Sequence, residues 1–158
     1  MSSSVSKAAT SAELDCSRTQ IDPRGPRFGA SVTTVVLAAA LILNGTTAGT
    51  VLIAWQTLVF ALGAIVGLQA QPYGVFFRRV IKPRLGPPAE MEDAAPPRFA
   101  QAVGLAFLVV ALVASLLGVT VVAAVAVAFA LAAAFLNAVF AFCLGCEMYL
   151  LGQRLAHR

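Results

Sequence analysis

No Asp, Glu, Lys or Arg occurs in residues 28–77, and none occurs in residues 99–146. Soluble domains carry roughly 25% charged residues spread along the chain. This chain is 59% hydrophobic and only 11% charged. A water-soluble fold of 158 residues cannot hide two uncharged blocks of that length. A bilayer can. One helical crossing of the hydrocarbon core takes about 20 apolar residues, so each block accommodates two crossings and a turn.

The first block breaks at Asn44, Gly45, Thr46 and Thr47, a cluster of turn formers that continues to Gly49. Spans are therefore expected at residues 28–43 and 50–70. The second block breaks at Leu117-Gly118-Val119-Thr120, where a single glycine does not force a turn. Length decides there, because an unbroken helix over that block would reach roughly 70 Å at 1.5 Å per residue. Spans at residues 99–117 and 120–142 follow. The expected fold class is an all-α integral membrane protein, with four transmembrane helices arranged as two tandem helical hairpins and short interfacial helices.

Orientation is read from the cations. Lys7, Arg18, Arg24, Arg27, Arg78, Arg79, Lys82, Arg84, Arg98, Arg154 and Arg158 fall in the N-terminal tail, the central loop or the C-terminal tail. Basic segments resist translocation, so both termini are expected in the cytoplasm and the chain in the bacterial plasma membrane, as a multi-pass protein. The net charge of +4 then reflects topology and attraction to anionic lipid. It is not read as a nucleic-acid footprint. Residues 1–20 are Ser- and Ala-rich, lack the apolar core of a signal peptide, and are expected to form a flexible cytoplasmic tail. Residues 83–97 form a Pro-rich cytoplasmic loop between a first two-helix unit, residues 21–82, and a second, residues 98–158.

The two units align without gaps at a shift of 71 residues, which superposes Asp22, Pro26, Arg27, Phe28 and Val32 on Asp93, Pro97, Arg98, Phe99 and Val103. A repeat constrains architecture, and each half becomes a Pro-Arg-Phe entry, a hairpin and a short exit segment. Arg27 and Arg98 are expected to snorkel towards phosphates beside Phe28 and Phe99. In the first exit, Pro72 precedes an expected interfacial helix over residues 75–82. At the equivalent offset Cys143 aligns with Pro72 and Gly145 with Gly74. The fourth span is expected to break at Cys143, followed by an interfacial helix over residues 147–156. Gly63 with Gly67, and Ala128 with residues 132–134, have the spacing of close helix packing, including packing within a homo-oligomer. Gln56 and Asn137 are expected to bond across helices.

Cys143 and Cys146 form a Cys-x-x-Cys pair, and Cys16 lies in the tail. A helix N-terminus favours a thiolate. Cys143 is therefore placed as an attacking thiol, with Cys146 one turn on to resolve a mixed disulfide. The same residues also read as ordinary small apolar packing. As metal ligands they supply two of the four groups a closed zinc site takes, leaving Cys16, His157 or Glu147 to complete it. Glu147 also reads as a cap of the helix that follows. No motif identifies a cofactor. With no ionisable side chain inside the spans, a proton-coupled transporter or ordinary ion channel is disfavoured.

Three stretches together carry a resemblance. They are Asp22-Pro-Arg-Gly-Pro-Arg-Phe, the central run from Arg79-Val-Ile-Lys-Pro-Arg-Leu-Gly-Pro-Pro-Ala-Glu to Pro97-Arg-Phe-Ala-Gln, and Cys143-Leu-Gly-Cys-Glu-Met-Tyr. Over about residues 20–155 the chain resembles the bacterial membrane family of domain of unknown function 4395. The resemblance implies a four-helix membrane protein that retains the cysteine pair, and it implies no activity. It also implies the company of a soluble thioredoxin-like or sulfurtransferase partner. Three functions are thus expected to compete: a thiol–disulfide or sulfur relay, a non-catalytic membrane subunit or scaffold, and a metal-binding membrane protein.

Overall fold

The computed structural model describes residues 20–156. Helix α1 spans Arg24–Ile42, and α2 spans Thr47–Ala61 and continues through a π-helical turn, Leu62–Val66. The first exit helix, α3, spans Pro72–Phe76 and runs on through the wider turn Phe77–Ile81 and the tighter turn Lys82–Arg84. Then come α4 at Ala95–Leu116, α5 at Thr120–Phe140 and the second exit helix, α6, at Leu144–Ala156. The remaining regular structure among the described residues is the antiparallel pairing of β1, Gln20–Ile21, with β2, Glu92–Asp93. Four helices are long and apolar enough to cross a membrane: Arg24–Ile42, Thr47–Val66, Ala95–Leu116 and Thr120–Phe140. Their 19 to 22 residues correspond to about 30 Å at 1.5 Å per residue, the thickness of a hydrocarbon core.

Each boundary has a local cause. Asp22 accepts the Arg24 N–H at 3.0 Å, and Asp93 accepts the Ala95 N–H at 2.9 Å. Each aspartate thus satisfies a donor that a helix start leaves orphaned. Gly45 turns the chain at a φ of +82°, and Thr46 caps α2 through the Gly49 N–H at 3.1 Å. Gly118 makes the second turn at φ +74°, in the backbone region where a Cβ is disfavoured. Asn44 ties the two turns together by donating to the Thr120 carbonyl at 3.0 Å.

Helix α1 packs on α2 and on α5, and α4 packs on the same two. Their shared centre holds Leu37, Ala40, Ile53, Phe60, Leu108, Ala111, Ala126, Val127 and Ala130. The outside is apolar as well, with Ile42 84% and Leu117 and Val121 each 73% exposed. Where both faces of a helix are apolar, close packing in the interior replaces hydrophobic burial as the source of specificity.

Several sequence expectations shift. The helices begin about three to four residues earlier than expected: α1 and α4 because the Pro-Arg-Phe entries are already helical, and α2 because Thr46 caps it. The second span ends at Val66 and the fourth at Phe140, short of the expected residues 70 and 142. Gly67 does not pack between helices. It ends α2 at φ +125° with open space around it. Ala128 and Ala132 face outward, and Ala123, Ala126 and Ala130 make the interior contacts instead. Arg98 is not left to reach for phosphates. It donates to the Ala64 and Ile65 carbonyls at 2.8 and 2.7 Å, satisfying acceptors freed at the end of α2.

Candidate functional site

The fourth long helix stops because Ala141 adopts the left-handed conformation, φ +55°. A Cβ makes that state costly, by about 1 kcal/mol. The Phe142 N–H then closes back on the Leu136 carbonyl at 3.3 Å. The expected break at Cys143 is thus present, but its cause lies two residues upstream, at a residue whose identity does not announce a turn. Cys143 stands immediately before α6, and its carbonyl accepts the Glu147 N–H at 3.0 Å. Its sulfur accepts the Cys146 N–H at 3.3 Å, the role of a capping side chain. The two cysteines are paired at disulfide distance, with Cα atoms 5.2 Å apart, and both are half-buried.

Helix α6 begins three residues before the expected position, so the pair lies at its start and in its first turn. Gly145, between the sulfurs, is buried against α4. A Cβ there would lie 2.5 Å from Ala100 Cα, closer than side-chain atoms approach backbone. Tyr149 packs its ring on Phe99 at 5.7 Å. One cysteine-bearing turn is thereby clamped to α4, while the rest of α6 is exposed from Leu150 onward. Glu147 is exposed in the first turn, where its charge complements the helix dipole.

The metal reading finds no geometry among the described residues, where no group of three or more His, Cys, Asp or Glu side chains converges. Cys16 and His157, named as further ligands, lie outside the described residues.

The first exit is built differently. Gln56, fully buried, donates to Thr33 Oγ1 at 3.0 Å and accepts from the Tyr73 hydroxyl at 3.0 Å. Tyr73 in turn accepts from Trp55 Nε1 at 3.0 Å. Gln71, 4% exposed, donates to Gln101 Oε1 at 3.1 Å. Burial leaves the Tyr73 phenol harder to ionise than usual, and the hydrogen bond from Trp55 offsets part of that effect. Gln56 thus bonds across helices as expected. Asn137 makes no side-chain hydrogen bond among the described residues. Gln71 and Gln101 were not singled out from sequence, although each is an uncharged polar residue inside an apolar block, the same signal that marked Gln56.

No curated protein and no solved structure matches this chain. The model of one family, described as Domain of unknown function (DUF4395), matches residues 21–154. The match covers most of the chain, and the chain belongs to the DUF4395 family.

Proposed function

We propose that the chain is a four-span plasma-membrane protein with cytoplasmic termini, whose Cys143–Cys146 pair exchanges electrons with a soluble thioredoxin-like or sulfurtransferase partner. The observation that carries the redox reading is the placement of a half-exposed disulfide-distance pair at the start of α6, with Cys143 sulfur receiving a backbone N–H. A thiolate of the partner attacks Cys143 Sγ, the Cys143–Cys146 bond breaks, and Cys146 leaves as a thiolate. A second partner thiol then attacks the partner's own sulfur in the mixed disulfide and releases Cys143. Two electrons enter the pair, and the partner becomes a disulfide. The Cys146 N–H donated to Cys143 Sγ favours negative charge on that departing sulfur.

The tandem-hairpin reading draws support from equivalent features 71 positions apart. Asp22 and Asp93 cap α1 and α4 through the N–H two residues on, and Leu37 and Ala40 occupy the centre as Leu108 and Ala111 do. In the strand pair, Ile21 faces Glu92, its own equivalent. Shifting Gln20 opposite Asp93 by the repeat gives Met91 opposite Asp22, the next rung of the same antiparallel register. That is the behaviour of a local two-fold axis. The register slips by two at the hairpin turn, since α2 begins at Thr47 and α5 at Thr120.

The redox reading is tested by trapping. Run in reverse with an oxidised partner, the Cys143 thiolate of Cys146→Ser attacks the partner disulfide and the mixed disulfide should accumulate, because no Cys146 remains to resolve it; with Cys143→Ser it should not. Failure of both cysteines to react with alkylating reagents in native membranes after reduction would discard the relay. A second reading rests on Gly145: packed against Ala100, it docks α6 on α4 in a non-catalytic scaffold, and the sulfur pair only braces the turn that carries it. Full function of a double Cys→Ala variant in cells would select it.

A further inference from the structure

The structure holds a cavity of about 190 Å3 at the foot of the first hairpin, between the start of α1 and the first exit. That is over ten times the roughly 10–15 Å3 a single water needs. Its wall combines Asp22, Gln71, Arg78 and Lys82 with apolar Phe77 and Met91. Asp22 is 7% exposed, and both its oxygens are engaged by the Arg24 guanidinium at 3.0 Å. Its charge is therefore already matched. Arg78 binds the Gln69 carbonyl through one nitrogen and retains its full positive charge. Lys82 is half-buried and makes no hydrogen bond or ion pair among the described residues, its charge acting on Asp22. The Gln71 amide nitrogen is spent on Gln101, which leaves its oxygen as an acceptor beside the cavity.

We infer that this cavity binds a phosphate ester, and specifically the phosphodiester headgroup of an anionic phospholipid such as phosphatidylglycerol. Two cations not neutralised by carboxylates, on a wall that grades into apolar side chains, match a headgroup that is anionic at one end and continues into acyl chain. A headgroup hydroxyl can donate to Gln71 Oε1. The one carboxylate on which the Lys82 charge acts, Asp22, is already held by Arg24, and a bound phosphate would give Lys82 a partner of its own. The inference rests on the membrane part of the reading above and is independent of the cysteine chemistry.

The test reconstitutes the full chain in nanodiscs of pure phosphatidylcholine and of equal parts phosphatidylcholine and phosphatidylglycerol. Lipid retained on the protein is read by native mass spectrometry, and stability by thermal unfolding. Preferential retention of phosphatidylglycerol is expected, weakened about fivefold by Lys82→Gln and unchanged by Arg154→Gln on the exposed end of α6. Equal retention of the two lipids, or equal effects of the two substitutions, overturns the proposal. Inorganic phosphate added to the phosphatidylcholine discs should not reproduce the stabilisation. If it does, the ligand is a soluble phosphate and the lipid assignment falls. A chain that enters neither disc overturns the membrane reading together with this one, whereas entry without lipid preference overturns this one alone.

Discussion

The two exits occupy the same place in their respective halves and are held by opposite chemistry. After Val66 the first leaves through Gly67 and is stitched to α2 and α4 by Gln71, Tyr73, Gln56 and Gln101, whose hydrogen bonds pair them with one another. The second leaves through left-handed Ala141 and is held by Gly145 against Ala100, by Phe99 against Tyr149 and by the sulfur pair. At the first exit Gln56, Tyr73 and the Gln71 amide nitrogen spend their hydrogen bonds within the molecule. The second presents two half-exposed sulfurs at the start of a helix, with only a backbone N–H engaged. Chemistry with an outside molecule is therefore expected at the second exit, and the first is expected to contribute stability and the cavity beneath it.

The largest way to break this contrast is at Gly145. Gly145→Val drives a branched side chain into the Ala100 backbone and should destabilise docking of α6 by about 3 kcal/mol, read as a lowered thermal midpoint in detergent. Gly152→Val, where a Cβ meets nothing within 4 Å, should stay within about 0.5 kcal/mol. If both variants behave alike, the clamp on α6 is not the one described. At the first exit, Gln56→Leu strands the Thr33 and Tyr73 hydroxyls and should cost about 1 kcal/mol. Asn137→Leu, with no described partner to lose, should be neutral in the same unfolding measurement. The smallest effect is expected at Asp22. The Arg24 guanidinium holds its carboxyl below the usual carboxylate range, so the pair's contribution is complete above about pH 4 and is lost as pH falls through the lower folded value. Unfolding followed against acid should show that loss in the natural chain, and Asp22→Asn should remove it.

Most of the helical layout was legible because charge and length are long-range features. An uncharged block is long enough for two helices of membrane-spanning length, and each block holds two. Glycine and asparagine at residues 44–49 and the lone Gly118 then mark turns that the backbone confirms. The facing of the helices was not legible. In α5 the interior and outer positions are alike in polarity, so Ala126 and Ala128 cannot be told apart by periodicity although one is buried and the other exposed. Arg98 was misread for a related reason. A snorkelling arginine and one that caps a neighbouring helix have the same sequence context, and only the π-helical widening of α2 at Leu62–Val66 presents the carbonyls. The cysteine pair itself was visible from spacing. Its cap geometry depends on the left-handed Ala141, a residue type that carries no turn signal.

With the proposed topology, Cys143 and Cys146 are reached from the cytoplasmic side at the end of the fourth crossing. The most direct measurement is labelling of Cys143 and Cys146, in a Cys16→Ser background after mild reduction, by a membrane-impermeant maleimide in inside-out and right-side-out vesicles. Labelling in inside-out vesicles alone is the predicted result. Labelling from the external face, or in neither preparation while denatured protein labels fully, would contradict it.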